Sequence, residues 1–220
     1  MPIYTPRLTE LNEKEVRRYS RAEKIQQNLI DSAISDAIIY ANPHGIFNIF
    51  DYDYKNSNII FDNKNIVLHG NSIKKHLYLC EKVTVLAVTI GENIENEISE
   101  ASAKENYTHA LLLDAAATEA VEESADLLEK IIEREANREG FFLTSRFSPG
   151  YGDFPLTMQE EILELAMGKK IGMSLTSSLM LMPRKSITAI IGFKRESNTR
   201  KNHNCSKCDK TDCNFRNKGE

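Results

Sequence analysis

Residues Val83 to Ile90 read Val-Thr-Val-Leu-Ala-Val-Thr-Ile, apolar nearly throughout, and stop at Gly91. A strand with one wet face alternates apolar and polar residues. A strand that does not alternate needs cover on both faces. This run therefore predicts a central strand with packed elements above and below it. The sequence supplies helices for that cover. Ile25, Leu29, Ile30, Ala33, Ile34, Ala37 and Ile38 recur at helical spacing, and a shorter helix is predicted around Glu13 to Arg18. The longest helical signal runs from about Asn106 to Asn137, where Leu113, Ala117, Val121, Ser124, Leu128 and Ile132 form one stripe. Within it, Asp114-Ala115-Ala116-Ala117 is small on all sides and lets a neighbour approach closely.

Further strands are predicted at Gly45–Phe50, Asn58–Phe61, Ile66–Leu68, Phe141–Arg146, Ser177–Met182 and Ser186–Phe193, with Asp, Asn and Lys clusters marking turns. Asn71 is the expected N-cap of a helix reaching Leu79, and a helix follows Gly91 through Ile94 and Ile98. Thr157 with Glu160 has capping-box spacing for a helix over about Met158–Met167. No internal repeat and no linker interrupts the chain before residue 194. The expected organisation is one α+β domain over residues 1–193 and a tail over 194–220.

A chain of 220 residues, 41% hydrophobic and 27% charged, can build one substantial core. Its net charge of −4 does not fit a dedicated nucleic-acid binder. From Lys194 to Glu220 there are eight Lys or Arg against four Asp or Glu, a net +4 that leaves −8 on the body. The N-terminus lacks a signal-peptide layout, and no apolar run approaches the roughly 18 residues of a membrane span. Cys80 stands alone, and the other three cysteines are bunched at the end, which is not a secreted disulfide framework. A soluble cytoplasmic protein is expected, with no membrane partner.

The segment most suggestive of chemistry is Arg146-Phe-Ser-Pro-Gly-Tyr-Gly-Asp-Phe-Pro155. Pro149 and Pro155 stiffen it, and Gly150 and Gly152 allow backbone conformations that other residues avoid. Arg146 can grip a carboxylate or phosphate with two parallel hydrogen bonds. The plain alternative is a structural turn, with Arg146 paired to a local carboxylate and Tyr151 covering the core.

Arg146-x-x-Pro149-Gly150-Tyr151, a short helix, the run Lys170 to Ser178, and Met182-Pro183 with Ser186 follow in an order and spacing that resemble the activation domain of cobalamin-dependent methionine synthase. The match covers roughly residues 110–193. Thr89-Ile90-Gly91 before a helix, and the later Leu-Asp-Ala run, are similar to compact single-domain members of that family. The resemblance implies a mostly antiparallel central sheet flanked by helices and a shallow groove for S-adenosylmethionine. It implies that Arg146 meets the methionyl carboxylate, that Ser148 and Gly150 contribute backbone hydrogen bonds, and that Tyr151 stands near the cobalt face of a cobalamin on another module. Glu119 best matches the family's helix glutamate, where a ligand ammonium or sulfonium would offset the cost of a confined charge. Its alternative is an ordinary solvated helix glutamate. Two family features differ: no Trp occurs for the N-terminal Asp-Trp context, and Lys194-Arg195-Glu196-Ser197 stands where larger members carry an aromatic pair.

None of the five histidines has an Asp two residues before it, so no Asp-x-His-x-x-Gly motif offers a cobalt ligand. Gly150-x-Gly152 does not follow the strand, turn and helix layout of a Rossmann site. The chain is thus expected to be a component of a methionine synthase system, without a general acid or base of its own. Its role would be reactivation of cob(II)alamin on a separate methionine synthase or similar corrinoid methyltransferase, with an electron donor such as flavodoxin. A non-catalytic S-adenosylmethionine sensor module and an iron–sulfur redox accessory of another corrinoid methyltransferase are the competing readings. Cys205-x-x-Cys208-x-x-x-x-Cys213, with His203 just upstream, is a compact set of soft ligands for zinc or an iron–sulfur cluster. The alternative there is a terminal segment whose thiols are incidental.

Overall fold

The computed structural model describes residues 2–21, 24–62 and 64–195. His203, Cys205, Cys208 and Cys213 lie outside the described residues. In chain order the elements are α1 (Glu13–Ser20), α2 (Gln27–Tyr40), β1 (His44–Asp53), β2 (Asn58–Phe61), β3 (Lys64–Val67), α3 (Asn71–His76) and β4 (Lys82–Thr89). They continue with α4 (Asn93–Ala103), α5 (Tyr107–Arg138), β5 (Phe142–Leu143), α6 (Gln159–Leu165), β6 (Ser174–Leu175), β7 (Leu181–Met182) and β8 (Ser186–Lys194). Short 3₁₀ turns occupy Leu156–Met158 and Gly168–Ile171.

Six strands form one sheet in the order β3-β2-β1-β4-β8-β5, and β6 with β7 forms a separate ribbon. The pairs β1/β2, β2/β3 and β5/β8 are antiparallel. Asn42 donates to the Ile90 carbonyl while Tyr52 donates to that of Glu81, so β4 also runs opposite to β1. The fold is α+β with a mostly antiparallel sheet. Every residue of β4 after Lys82 is buried, as its unbroken apolar run requires, and Thr188 to Phe193 of its neighbour β8 are buried too.

The chain divides into two compact units whose boundaries fall mostly inside these elements. The first comprises Met1–Ile46, Val88–Leu128 and Gly168–Ile187. Here α1 forms because Asn12 accepts from the Lys14 amide, acidic Glu13 and Glu15 occupy its first turn, and basic Arg17 and Arg18 its last. Arg17–Glu13 and Arg18–Glu15 pair along its surface. Ile30, Ala33 and Ala37 supply the buried stripe of α2. Leu113, Ala117, Val121, Ser124 and Leu128 are all buried along α5, and Tyr4 bridges Gly45 at 2.8 Å in both directions.

The second unit comprises Phe47–Ala87, Glu129–Met167 and Thr188–Glu220. Asn48 donates from its side chain to the Leu165 carbonyl at 2.6 Å, satisfying a C-terminal carbonyl of α6. Phe141 packs on Phe193 with ring centroids 5.9 Å apart, and the Arg195 guanidinium lies 3.8 Å from the Phe141 centroid. Gly192 in β8 sits directly over Cys80 and Leu77, so a Cβ there would stand 2.3 Å from the Cys80 sulfur.

Several local expectations change. Asn71 is the first helical residue of α3 rather than its cap. The carboxylate of Asp153 accepts from the amides of Asn71 and Ser72, both at 2.7 Å, and does the capping from 82 and 81 residues away. Thr157 forms no capping box, because a 3₁₀ turn precedes α6 and its N-terminus has no side-chain cap. The strand predicted at Ser177–Met182 shrinks to Leu181–Met182, since the Thr176 hydroxyl takes the Met180 amide and closes a turn. β5 is two residues long because Thr144 leaves the ladder to exchange bonds with Gly192.

Gly192→Ala is expected to destabilise the fold by about 1–3 kcal/mol through overpacking against Cys80. In a Cys80→Ala background the same change should cost less than half as much. Urea unfolding of the four proteins in the cycle measures the coupling.

Candidate functional site

In the second unit, Arg146 to Pro155 forms a tight loop following β5. Phe147 anchors its start by exchanging backbone bonds with Ile190 at 2.9 Å each way. Its interior closes on itself: Tyr151 donates to the Ser148 carbonyl at 3.1 Å, Phe154 to that of Tyr151 at 2.9 Å, and Gly150 to that of Phe154 at 2.8 Å. Gly150 and Gly152 have φ of +90 and +54 degrees, and a Cβ on Gly152 would meet the Ser72 hydroxyl at 2.6 Å. Both glycines are needed, one for conformation and the other also for approach. The amide of Gly150 and the carbonyl of Ser148 are therefore committed within the loop.

Asp153 fixes the far side. Its carboxyl is held down to about 2 by the amides of Ser72 and Asn71, with further help from the Ser72 hydroxyl. The loop also carries an aromatic cluster. Phe147 lies 4.9 Å from His76, 5.9 Å from Tyr151 in an edge-on arrangement, and 6.2 Å from Phe154. His76 Nε2 sits 2.7 Å from the Ser145 carbonyl and is the donor there. Phe154 is buried, whereas Tyr151 is 52% exposed, so Tyr151 does not serve as core cover.

Arg146 reaches Glu129 near the end of α5, with Nη1 3.3 Å from Oε2. Their side chains are 11% and 21% exposed, which makes this a half-buried pair. Burying a guanidinium demands a counter-charge, and the helix provides it.

Glu119 belongs to the first unit, on α5. It is buried, at 6% exposure, beside the equally buried Leu112, Ala115 and Ala116. An ordinary solvated glutamate does not describe it. Its Oε1 accepts from the Asn12 amide at 3.3 Å, tying the cap of α1 to α5. Burial pushes its carboxyl up to about 7, opposed by the Asn12 bond and reinforced by Glu15, Glu123 and Glu122. Tyr19 shares this acidic setting, raised to about 12 by burial and then by Glu122. One turn earlier, Lys185 Nζ bonds the Asp114 carboxylate at 2.9 Å, its carbonyl at 3.0 Å and the Thr118 hydroxyl at 2.9 Å. The small-residue turn foreseen there is thus approached by a lysine. Glu95 in turn accepts from the Lys185 amide and from Arg184.

The structure brings Arg146, Ser148, Gly150 and Tyr151 together in one loop. Pairing of Arg146 with a carboxylate is the alternative the sequence offered, and Glu129 fills that part; neither Glu129 nor the capping role of Asp153 was singled out in advance. Glu129 carries no signal beyond its place on a helix rich in acidic residues. Asp153 lay inside the motif, but nothing in its neighbours points to residues 71 and 72. Among the described residues, no group of three or more His, Cys, Asp or Glu side chains is arranged to hold a metal ion, and no helix is long and apolar enough to cross a membrane.

An α+β chain with this sheet shares its fold with a solved structure of the MetH reactivation domain bound to AdoHcy. That likeness has a TM-score of 0.58 at 18% identity and covers 90% of this chain and 80% of the other. A family model for the activation domain of vitamin B12-dependent methionine synthase matches residues 61–218, well over half of the sequence. The chain belongs to that family. No curated protein matches it by sequence.

Because Glu119 keeps its proton to higher pH when folded than when unfolded, stability is expected to fall as pH rises from about 4.5 to about 7, then level off. Glu119→Gln should remove most of this dependence and stabilise the protein by about 1–2 kcal/mol at pH 8. Urea unfolding at pH 5 and pH 8 reads both effects. Asp153→Ala should open the first turn of α3, seen as faster hydrogen exchange at the Asn71 and Ser72 amides.

Proposed function

We propose that this protein binds S-adenosylmethionine and supports reductive remethylation of cob(II)alamin held by a separate cobalamin-dependent methionine synthase or similar corrinoid methyltransferase. One observation carries the reading: the family match runs through the whole Arg146–Tyr151 loop, whose backbone is braced while the Tyr151 ring stays open to solvent. The relative whose fold it shares was solved with AdoHcy.

Arg146 offers a guanidinium to the methionyl carboxylate. Considered by itself, Glu119 in the first unit is a buried carboxyl whose desolvation a cation would offset. Ser148 and Gly150 shape the loop, and their contribution is chiefly the fixed backbone, since the Gly150 amide and Ser148 carbonyl already bond within it. Tyr151, half exposed, would face a corrin presented by the partner.

Cobalamin held by the partner would supply the bond-making chemistry: after one electron from a reductase such as flavodoxin, the sulfonium methyl group would pass to its cobalt and S-adenosylhomocysteine would leave. This chain's part is proximity and exclusion of competing poses, with no proton transfer assigned to it. Residues 1–193 form the activation-like body in this reading, and 194–220 a separate tail. In that tail Cys205, Cys208 and Cys213, with His203, would take zinc or an iron–sulfur cluster. The protein would work in the cytoplasm beside its partner.

Calorimetric titration with S-adenosylmethionine tests the first half. Arg146→Ala should weaken binding at least tenfold, about 1.4 kcal/mol or more. Undiminished binding would sink the site assignment. Adding the wild-type protein to a cob(II)alamin-loaded methionine synthase lacking its own activation domain, with an electron source, should restore methyl transfer.

A further inference from the structure

The first unit contains a cavity that the binding mode above does not use. Its volume is about 450 Å³, within the range of small-molecule sites, and every residue that lines it belongs to that unit. Its walls come from the segment leading into β1, from the end of β4 with the start of α4, and from the 3₁₀ turn Gly168–Ile171. Backbone bonds hold these walls in place before any ligand arrives. Asn42 donates to the Ile90 carbonyl at 2.8 Å, and the amides of Gly172 and Met173 donate to the carbonyls of Lys169 and Gly168 at 3.2 and 3.1 Å.

Charges of both signs line the hollow. Lys170 contributes from the 3₁₀ turn and Glu92 from the residue just before α4, and neither belongs to an ion pair among the described residues. His44 adds a group whose hydrogen-bonding sense is fixed. Its Nδ1 lies 3.0 Å from the Asn42 carbonyl, and a carbonyl only accepts, so Nδ1 carries the hydrogen. The neutral imidazole then keeps a lone pair on Nε2. The rest of the lining includes apolar surface from Ile3 and Pro183. Ile3 is 45% exposed, yet it is anchored, because Tyr4 beside it exchanges backbone bonds with Gly45. An inorganic anion entering here would meet the Glu92 carboxylate, and a simple cation the Lys170 ammonium, each as a like charge. A zwitterion with an apolar tail meets neither conflict.

We infer that this cavity binds a free α-amino acid with an apolar side chain. The carboxylate pairs with Lys170, the ammonium with Glu92 and His44 Nε2, and the side chain covers Ile3 and Pro183. The site is distinct from the Arg146 loop, which belongs to the second unit, and it does not depend on the role given to Arg146.

L-Methionine, whose side chain is apolar and unbranched, is the probe. Calorimetric titration of the wild-type protein should give one site per chain. L-Methionine amide, which lacks the carboxylate, and N-acetyl-L-methionine, which lacks the ammonium, should each bind at least tenfold more weakly, and so should glycine. Lys170→Ala should weaken L-methionine at least tenfold and leave the amide's Kd unchanged. Glu92→Gln should weaken L-methionine and leave the N-acetyl compound unchanged. Both positions are exposed, so the variants should fold, which circular dichroism verifies. Saturating S-adenosylmethionine should not displace L-methionine. Absence of wild-type binding overturns the inference, as does equal weakening of all three methionine compounds by either substitution. Phosphate or glycine binding as tightly as L-methionine has the same force, and displacement by S-adenosylmethionine removes the claim of a separate site. A protein that takes L-methionine but not S-adenosylmethionine upholds this inference while the Arg146 assignment fails.

Discussion

The structure depends on β4 having no wet face. A strand buried from Val83 to Thr89 must be hydrogen-bonded along both edges and packed on both sides, because water reaches none of its groups. That demand places β1 on one edge and β8 on the other, and it gives the helices their apolar stripes to deliver. Antiparallel pairing follows from short connections such as the β2/β3 hairpin. Two buried polar groups in this arrangement are bonded where they sit, the Thr84 hydroxyl to the Asn48 carbonyl and Gln159 to Thr188, whereas the buried Oδ1 of Asn58 in β2 has no hydrogen-bond partner among the described residues.

Ionisable groups are handled by a different rule. Glu119 and Arg146 are each withdrawn from solvent, yet their solutions diverge. Arg146 has a carboxylate beside it, so burying its charge is compensated within the protein. Glu119 has an amide and several like charges nearby, and its charged form stays costly. A protein that keeps such a carboxyl carries a standing destabilisation near neutral pH, which an incoming cation can relieve. Local instability of this kind is what a binding surface can convert into affinity.

Much of this was readable from the residues because periodicity reports burial directly. The stripe on α5 and the unbroken run of β4 leave little freedom in interpretation, and both appear where expected. The Arg146–Tyr151 loop was visible through its prolines and glycines, which constrain the backbone locally. What escaped was non-local. Asp153 reads as one more turn residue until Asn71 and Ser72 are next to it, and Asn71 looked like a cap in its own right. Glu129 is one of several acidic residues along a long helix, and only packing selects it. Thr157 and Glu160 had the right spacing for a capping box, but a 3₁₀ turn left the pair out of register.

The capping of α3 by Asp153 has a consequence for anyone who moves this loop. A loop that borrows its support from residues 81 and 82 positions away is not a portable motif. Transplanting residues 146–155 into another scaffold would leave the Asp153 carboxylate without amides to receive and Gly152 without the Ser72 surface it was shaped against. A graft that preserves the loop must also carry the segments around residues 71, 129 and 190 that hold it.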